Sequence, residues 1–142
     1  MAVNVYLTFD GNCREVVEYY AQVFNTEQPK FMTFGESPQN PDYPLPEAAK
    51  DLIMHTRLII SGSNVMFSDA FPGMSITKGN NFSLALVSKN IDELTRAYNQ
   101  MKEDGGKVRM ELQETFWSKC YGSITDKFGI EWQYSYESED IR

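Results

Sequence analysis

Cysteine and histidine are scarce in this chain of 142 residues, which has only Cys13, Cys120 and a single histidine, His55. Two cysteines are too few for a disulfide framework, so nothing suggests an exported, disulfide-stabilised protein. No apolar run approaches the roughly 18 residues that would indicate a membrane span. The opening MAVNVYLTFDGN lacks the basic and long apolar regions of a secretory signal. We therefore expect a cytoplasmic protein that does not enter a membrane.

Positive charge is also in short supply, with 13 basic residues against 20 acidic ones and a net charge of −7. Because no basic run is present, nucleic acid is not an expected partner. Hydrophobic residues make up 42% and aromatic residues 13% of the chain, which is enough for a packed core. The length fits one domain spanning 1–142.

The first half of the chain predicts a strand, a helix and three further strands. Asn12 suits a helix N-cap and Glu15 stands three residues later, as in a capping box. Asn25 suits the helix C-cap. The apolar side chains that recur at helical spacing are Cys13, Val16, Val17, Tyr20, Val23 and Phe24. The predicted strands are 3–9, 30–35, 53–60 and 64–68.

Four of the six prolines fall within residues 36–51, which therefore cannot form regular sheet. A loop of this length is either a lid over a binding site or a surface excursion. If it is a lid, Tyr43 and Leu45 are the side chains expected to cover a ligand.

The second half repeats the same order of elements after a linker at 70–81. Asn90 is a second N-cap with Glu93 three residues on, and Gly105 and Gly106 end the helix. Its apolar face is formed by Leu94, Ala97, Tyr98 and Met101. The predicted strands are 82–88, 107–112, 119–125 and 130–136. The chain therefore contains two similar modules, at about 3–69 and 82–136.

Three segments carry a family resemblance: FDGNCREVVEYYAQVF, IMHTRLIISGS followed by MFSD, and QETFWSKCYGSITDKFGIEWQ. They resemble the PhnB-like branch of the vicinal oxygen chelate superfamily, which includes glyoxalase I, fosfomycin- and bleomycin-resistance proteins and extradiol dioxygenases. The resemblance implies an α+β fold of two βαβββ modules, with curved mixed sheets around a cavity. It also implies a homodimer that binds a small molecule.

Members of this branch often carry the label 3-demethylubiquinone methyltransferase, which the residues do not support. A methyltransferase that uses S-adenosylmethionine would show a glycine-rich turn after the first strand of a parallel α/β sheet. The turn here is Asp10-Gly11-Asn12.

The resemblance also identifies where metal-dependent relatives place their His and Glu ligands. The equivalent positions are Asn4 (or Val5 if counted from the helix), Met66 to Ser68, Ser83 and Gln133. None of them carries a carboxylate, imidazole or thiolate, the groups that hold divalent metals. We therefore expect a pocket without a metal or other cofactor.

The segment EWQYSY at 131–136 alternates aromatic and polar residues, so the two sets point to opposite faces of a strand. Trp132, Tyr134 and Tyr136 should pack on helices, whereas Glu131, Gln133 and Ser135 should line the site. The complete set of expected ligand-binding residues is Asn4, Tyr6, Arg57, Met66, Ser83, Trp117, Glu131 and Gln133.

His55 shares a strand face with Arg57, and its role stays open between an acid–base catalyst and a hydrogen-bonded structural residue. An enzyme would combine His55 with Arg57 and a carboxylate such as Glu131. A third alternative is a protein that sequesters a planar drug. Phe116 and Trp117 fit either the cavity or a dimer interface. Cys13 and Cys120 fit core positions better than reactive ones.

Overall fold

The computed structural model of the protein describes residues 1–138 and contains two compact units, one from Met1 to Thr77 and one that begins at Lys78. Each unit is built from one α-helix and one mixed sheet of four strands. Neither sheet closes into a barrel. The predicted α+β class with a repeated βαβββ order is confirmed.

The first unit contains β1 (Val5–Phe9), α1 (Cys13–Val23), β2 (Met32–Thr33), β3 (Ile53–Ile60) and β4 (Ser63–Asp69). The strand order is β1-β4-β3-β2, with β1 parallel to β4 and the other pairs antiparallel. We call this sheet 1.

The strand predicted at 30–35 is mostly wrong, because only Met32–Thr33 pairs and Phe34–Glu36 forms a short 3-10 turn. The Thr33 hydroxyl accepts the Glu36 N–H at 3.2 Å, and the Gly35 N–H donates to the carbonyl of Lys50 at 3.0 Å. A Cβ on Gly35 would lie 2.9 Å from that carbonyl oxygen. The chain therefore turns here because its backbone is tied to the end of the proline-rich segment.

Helix α1 begins where it was predicted, but its cap comes from elsewhere in the chain. The Asn12 side chain makes no capping hydrogen bond. The buried carboxylate of Asp69, at the end of β4, instead accepts the N–H of Cys13 and the N–H of Ile53, both at 2.9 Å. One side chain thus joins the first turn of α1 to the start of β3.

The core of the first unit lies between α1 and one face of sheet 1. Tyr20 of α1 is fully buried, and its ring centroid lies 6.0 Å from that of Phe67 on β4. Burial of side chains of this size contributes about 1.5–3 kcal/mol each, so this face fixes the register of the sheet. The other buried members are Val16, Val17, Val23, Leu58, Ile60 and Val65.

The second unit contains β5 (Leu84–Ser88), α2 (Ile91–Glu103), β6 (Lys107–Gln113), β7 (Tyr121–Thr125) and β8 (Glu131–Tyr136). Its strand order is β5-β8-β7-β6, with β5 parallel to β8 and the remaining pairs antiparallel. We call this sheet 2.

Helix α2 has the cap that the sequence predicted, since the Asn90 side chain accepts the Glu93 N–H at 3.1 Å. The second half of the capping box is absent, because the Glu93 carboxylate pairs with Arg96 and the Asn90 N–H donates to the Ser88 hydroxyl. The pairing with Arg96 lowers the pKa of Glu93.

The core of the second unit lies between α2 and one face of sheet 2. The hydroxyl of Tyr134 lies 3.1 Å from the Met101 sulfur, and the rings of Tyr98 and Tyr134 meet edge to face at 5.4 Å. Trp132 is 3% exposed, and its indole N–H donates to the buried carboxylate of Asp126. None of the helices within residues 1–138 is long and apolar enough to cross a membrane.

Candidate functional site

Strand β8 presents its polar residues on the face of sheet 2 opposite α2, which we call the open face of sheet 2. Antiparallel pairing with β7 places alternate residues of both strands there. They are Tyr121, Ser123 and Thr125 on β7, beside Ser135, Gln133 and Glu131 on β8. The predicted division of EWQYSY into a helix-facing and an open face is therefore correct.

Gln133 lies at the centre of this face and uses both ends of its amide. The Tyr121 hydroxyl donates to Gln133 Oε1 at 2.7 Å, and Gln133 Nε2 donates to Ser83 Oγ at 2.7 Å. Two predicted site residues, Ser83 and Gln133, are thus in contact. Tyr121 was not predicted, although the alternation of YGSIT opposite EWQYSY could have identified it.

Glu131 has its own set of partners at one end of the face. Its carboxylate accepts a hydrogen bond from the Thr125 hydroxyl. Arg109 donates to Thr125 Oγ1 at 2.9 Å and lies 3.7 Å from Glu131 Oε1. A hydroxyl and a guanidinium of the same sheet therefore already face this carboxylate.

Trp117 extends the open face of sheet 2 beyond Tyr121. Its ring meets Tyr121 edge to face at 5.2 Å and Phe116 at 4.7 Å. Phe116 is 97% exposed and Trp117 is 47% exposed. These three rings form a surface that offers both apolar area and a hydroxyl.

A second group of predicted residues meets on the face of sheet 1 opposite α1, the open face of sheet 1. Arg57 on β3 pairs with Met66 on β4, and Met66 pairs with Tyr6 on β1. His55 shares the face of Arg57, and its ring centroid lies 6.1 Å from that of Tyr6. Asn4, in contrast, precedes β1 and is exposed, so its predicted place in the strand is wrong.

A groove of about 930 Å³ runs along β3 in the first unit. His55, Arg57 and Ile59 lie on one side of it, and the segment 27–32 forms the other. The Thr56 hydroxyl donates to the carbonyl of Lys30 at 2.9 Å, which fastens that segment to the strand. We call this cavity the β3 groove. Sequence reasoning missed the segment because it has no periodic pattern.

The positions that hold metals in metal-dependent relatives do not fit a metal here. They carry neutral side chains, namely Asn4 or Val5, Met66 to Ser68, Ser83 and Gln133. Within residues 1–138, no group of three or more His, Cys, Asp or Glu side chains is placed to hold a metal ion. Divalent metals require such donors, so the neutral residues at these positions are not suited to hold one.

Cys13 does not supply a thiolate either. The side chain is fully buried, and its burial, followed by the nearby Asp69 charge, raises the pKa of the thiol from 9.0 to about 12. The thiol therefore stays protonated at neutral pH, and its structural assignment is confirmed.

Comparison with known proteins identifies the family. Residues 2–135 match the protein family described as 3-demethylubiquinone-9 3-methyltransferase. The chain belongs to this family. Protein YjdN of Escherichia coli K12 is 34% identical, over 93% of this chain and 92% of YjdN. The crystal structure of PA1353 from Pseudomonas aeruginosa has 33% identity and a TM-score of 0.81, covering 98% of this chain and 99% of PA1353.

More distant structures share the fold. A PhnB protein from Bacillus cereus, described as a putative 3-demethylubiquinone-9 3-methyltransferase, has 21% identity and a TM-score of 0.71, covering 96% of this chain and all of that one. The fosfomycin resistance protein FosX from Listeria monocytogenes has 11% identity and a TM-score of 0.65, covering 100% of this chain and 97% of FosX. The family match confirms the predicted relationship to the PhnB-like branch, and these structures confirm the predicted fold of the vicinal oxygen chelate superfamily.

Proposed function

We propose that this protein binds a small organic molecule on the open faces of its sheets without the help of a metal ion. The observation that carries the proposal is the arrangement around Gln133. A neutral amide stands where metal-dependent relatives have a metal-binding side chain. Its oxygen accepts from Tyr121 and its nitrogen donates to Ser83. A metal bound through Gln133 Oε1 would compete with the Tyr121 hydrogen bond.

The open face of sheet 2 also offers the groups that an organic ligand needs. Trp117 and Tyr121 supply apolar ring area, while Ser83 and Gln133 supply donors and acceptors at fixed positions. Ligand sites combine an apolar lining with a few placed polar groups in this way.

Ligand-observed NMR with a mixed library of small organic molecules tests this function. The protein is first treated with a chelator, and the binding of each hit is then compared before and after addition of Zn²⁺ or Mn²⁺. We expect hits whose affinity does not depend on metal. The proposal is wrong if no compound binds the treated protein, or if binding appears only after metal is added.

The activity named in the family description is a separate matter, and we do not propose methyl transfer. Each described sheet contains only one parallel pair of strands, β1 with β4 and β5 with β8. The S-adenosylmethionine site of an α/β protein lies where the strand order reverses in a mostly parallel sheet, outside the carboxyl ends of its strands. Neither mixed sheet reproduces that arrangement.

An enzyme that uses His55 is a second candidate, favoured by the position of this residue. The ring lies beside Tyr6 and lines the β3 groove together with Arg57, so it can exchange a proton with a bound molecule. The variant His55→Gln separates the two functions. An enzyme would lose turnover and keep ligand binding, whereas a binding protein would show no turnover in either form.

We also propose that the protein forms a homodimer, as the family resemblance implies. The exposed rings of Phe116 and Trp117 are apolar area of the kind that interfaces bury. Light scattering on the wild type and on Phe116→Ser tests whether the dimer forms and whether Phe116 belongs to its interface. A monomeric wild type contradicts the dimer, and an unaltered dimer in the variant removes Phe116 from its interface.

A further inference from the structure

We infer that the β3 groove binds an organic acid, with the carboxylate on Arg57 and an apolar body against Met32 and Ile59. This inference rests on the proposed small-molecule function and adds the chemical class of the ligand. It concerns the first unit alone.

Arg57 differs from the other arginines that the structure describes. Arg96 pairs with Glu93, Arg109 lies near Glu131, and Arg14 lies 4.4 Å over the ring of Phe31. Within residues 1–138, the Arg57 guanidinium contacts no carboxylate and covers no ring, although it is exposed and lines the groove. Its planar fork matches a carboxylate through two parallel hydrogen bonds.

The part of β3 that carries Arg57 is hydrogen-bonded along one edge to β4. Residues Thr56 to Ile60 of β3 pair in register with β4. A strand position gives a side chain a better-defined origin than a loop position does. The guanidinium therefore loses less freedom when it binds an anion than it would on a mobile segment.

Lys30 supplies a second positive charge on the facing wall. Its backbone carbonyl is bound by the buried hydroxyl of Thr56, so the segment that carries Lys30 is anchored next to Arg57. Its ammonium group makes no ion pair with any residue that the structure describes. The imidazole of His55 adds a ring N–H donor two residues from Arg57 on the same face.

Apolar area lies directly beside these donors. Met32 is 46% exposed and Ile59 is 50% exposed, and both line the groove with Phe31. The Arg14 guanidinium lies over the Phe31 ring at 4.4 Å from its centroid. A groove of about 930 Å³ lies at the upper end of the roughly 300–1,000 Å³ typical of small-molecule sites. The ligand thus has room for an apolar chain next to its acid group.

Two carboxylates, Glu27 and Glu36, also line the groove. Both are exposed, and both belong to the segments that face β3 rather than to the sheet. They oppose a second negative charge on the ligand and offer an amine a competing partner. The groove therefore favours a single acid group, and a cationic ligand is the rival that the experiment must exclude.

The experiment is an NMR titration of the ¹⁵N-labelled, chelator-treated protein with three probes of equal chain length: hexanoate, 1-hexanol and hexylamine. We expect hexanoate to shift the amide signals of 27–32 and 54–59 in a saturable way and to bind most tightly of the three. Arg57→Gln should weaken hexanoate binding by about tenfold or more, because a hydrogen bond between charged groups is lost. The matched control Lys119→Gln removes an exposed charge in the second unit and should leave the affinity unchanged.

Several results overturn the inference. They are hexanol or hexylamine binding as tightly as hexanoate, hexanoate shifts confined to the second unit, and full affinity in Arg57→Gln. Each of these leaves the proposed function intact, because a ligand still binds without metal. If all three probes leave the spectrum unchanged, the acid site is refuted, whereas the proposed function fails only if the wider library gives no hit.

Discussion

The hydroxyl of Tyr121 donates a 2.7 Å hydrogen bond to Oε1 of Gln133 on the open face of sheet 2. It joins neighbouring strands and leaves the Gln133 amide nitrogen free to reach Ser83 at 2.7 Å. A carboxylate at this position could accept both bonds and remain anionic. The amide instead accepts from Tyr121 and donates to Ser83, and it carries no charge.

Replacing Gln133 tests these two hydrogen bonds. Gln133→Met removes both, and we expect a loss of about 1–3 kcal/mol in the free energy of unfolding, at roughly 0.5–1.5 kcal/mol per bond. Gln133→Glu keeps acceptors for Tyr121 and Ser83 and should stay within about 1 kcal/mol of the wild type. Urea unfolding measures both values.

The matched control is the exposed Gln113, whose side-chain amide donates to the carbonyl of Glu111 two residues away on the same strand. Gln113→Met should change the unfolding free energy by less than about 0.5 kcal/mol. Equal losses at positions 113 and 133 would show that the Tyr121 and Ser83 contacts do not stabilise the unit.

Asn12 and Asn90 look equivalent in the sequence, but we expect their removal to differ. Asn90→Ala deletes the hydrogen bond to the Glu93 N–H and should cost about 1 kcal/mol. Asn12→Ala deletes no cap bond, because Asp69 serves that end of α1, and should cost less than about 0.5 kcal/mol. Thermal or urea unfolding of the two variants checks the difference, and a larger loss at Asn12 would contradict it.

Much of the fold could be predicted from local patterns, and the errors arise from long-range contacts. Period-3.6 and period-2 patterns identified both helices and the long strands, because each element buries one face. The cap of α1 was missed because Asp69 lies 56 residues from Cys13. The turn at 34–36 was missed because it depends on Lys50.

The candidate site was likewise predictable where local patterns determine it and not where long-range contacts do. Alternation in β8 predicted which side Gln133 faces, and the family resemblance drew attention to Ser83, but neither could show that the two side chains meet. The β3 groove was missed for a further reason. Its second wall is held by the bond from Thr56 to Lys30, 26 residues apart, and no spacing rule encodes that pair.

The buried thiol of Cys13 predicts how stability responds to alkaline pH. Its pKa is raised from 9.0 to about 12 in the folded protein, so the unfolded chain releases this proton first. The contribution of the neutral thiol to the free energy of unfolding is therefore fully present below about pH 9. It decreases as the pH rises toward 12, by at most about 1.4 kcal/mol per pH unit.

Urea unfolding at a series of alkaline pH values, on the wild type and on Cys13→Ala, isolates this contribution. The difference in unfolding free energy between the two proteins should decrease as the pH increases from 9. A difference that does not change with pH would contradict the claim that burial raises the pKa of the Cys13 thiol.

Thr56 anchors the second wall of the β3 groove, so its replacement should loosen that wall. Thr56→Val keeps the side-chain volume and removes the hydrogen bond to Lys30, and we expect a loss of about 1 kcal/mol. Amide hydrogen exchange should become faster in 27–32, and hexanoate should bind more weakly.

The control for this change is Thr95→Val, where the hydroxyl bonds to the carbonyl of Ile91 within α2. This variant should leave exchange in 27–32 and hexanoate affinity as they are in the wild type. Unchanged exchange in Thr56→Val would mean that the segment is held by other contacts.

Metal stoichiometry tests the central claim most directly. The chelator-treated protein is dialysed in turn against Zn²⁺, Ni²⁺, Mn²⁺ and Fe²⁺, and the metal retained per chain is measured by mass spectrometry. We predict that no metal is retained stoichiometrically, because Met66, Ser83 and Gln133 supply no anionic or imidazole donor. One tightly bound ion per chain would contradict metal-independent binding.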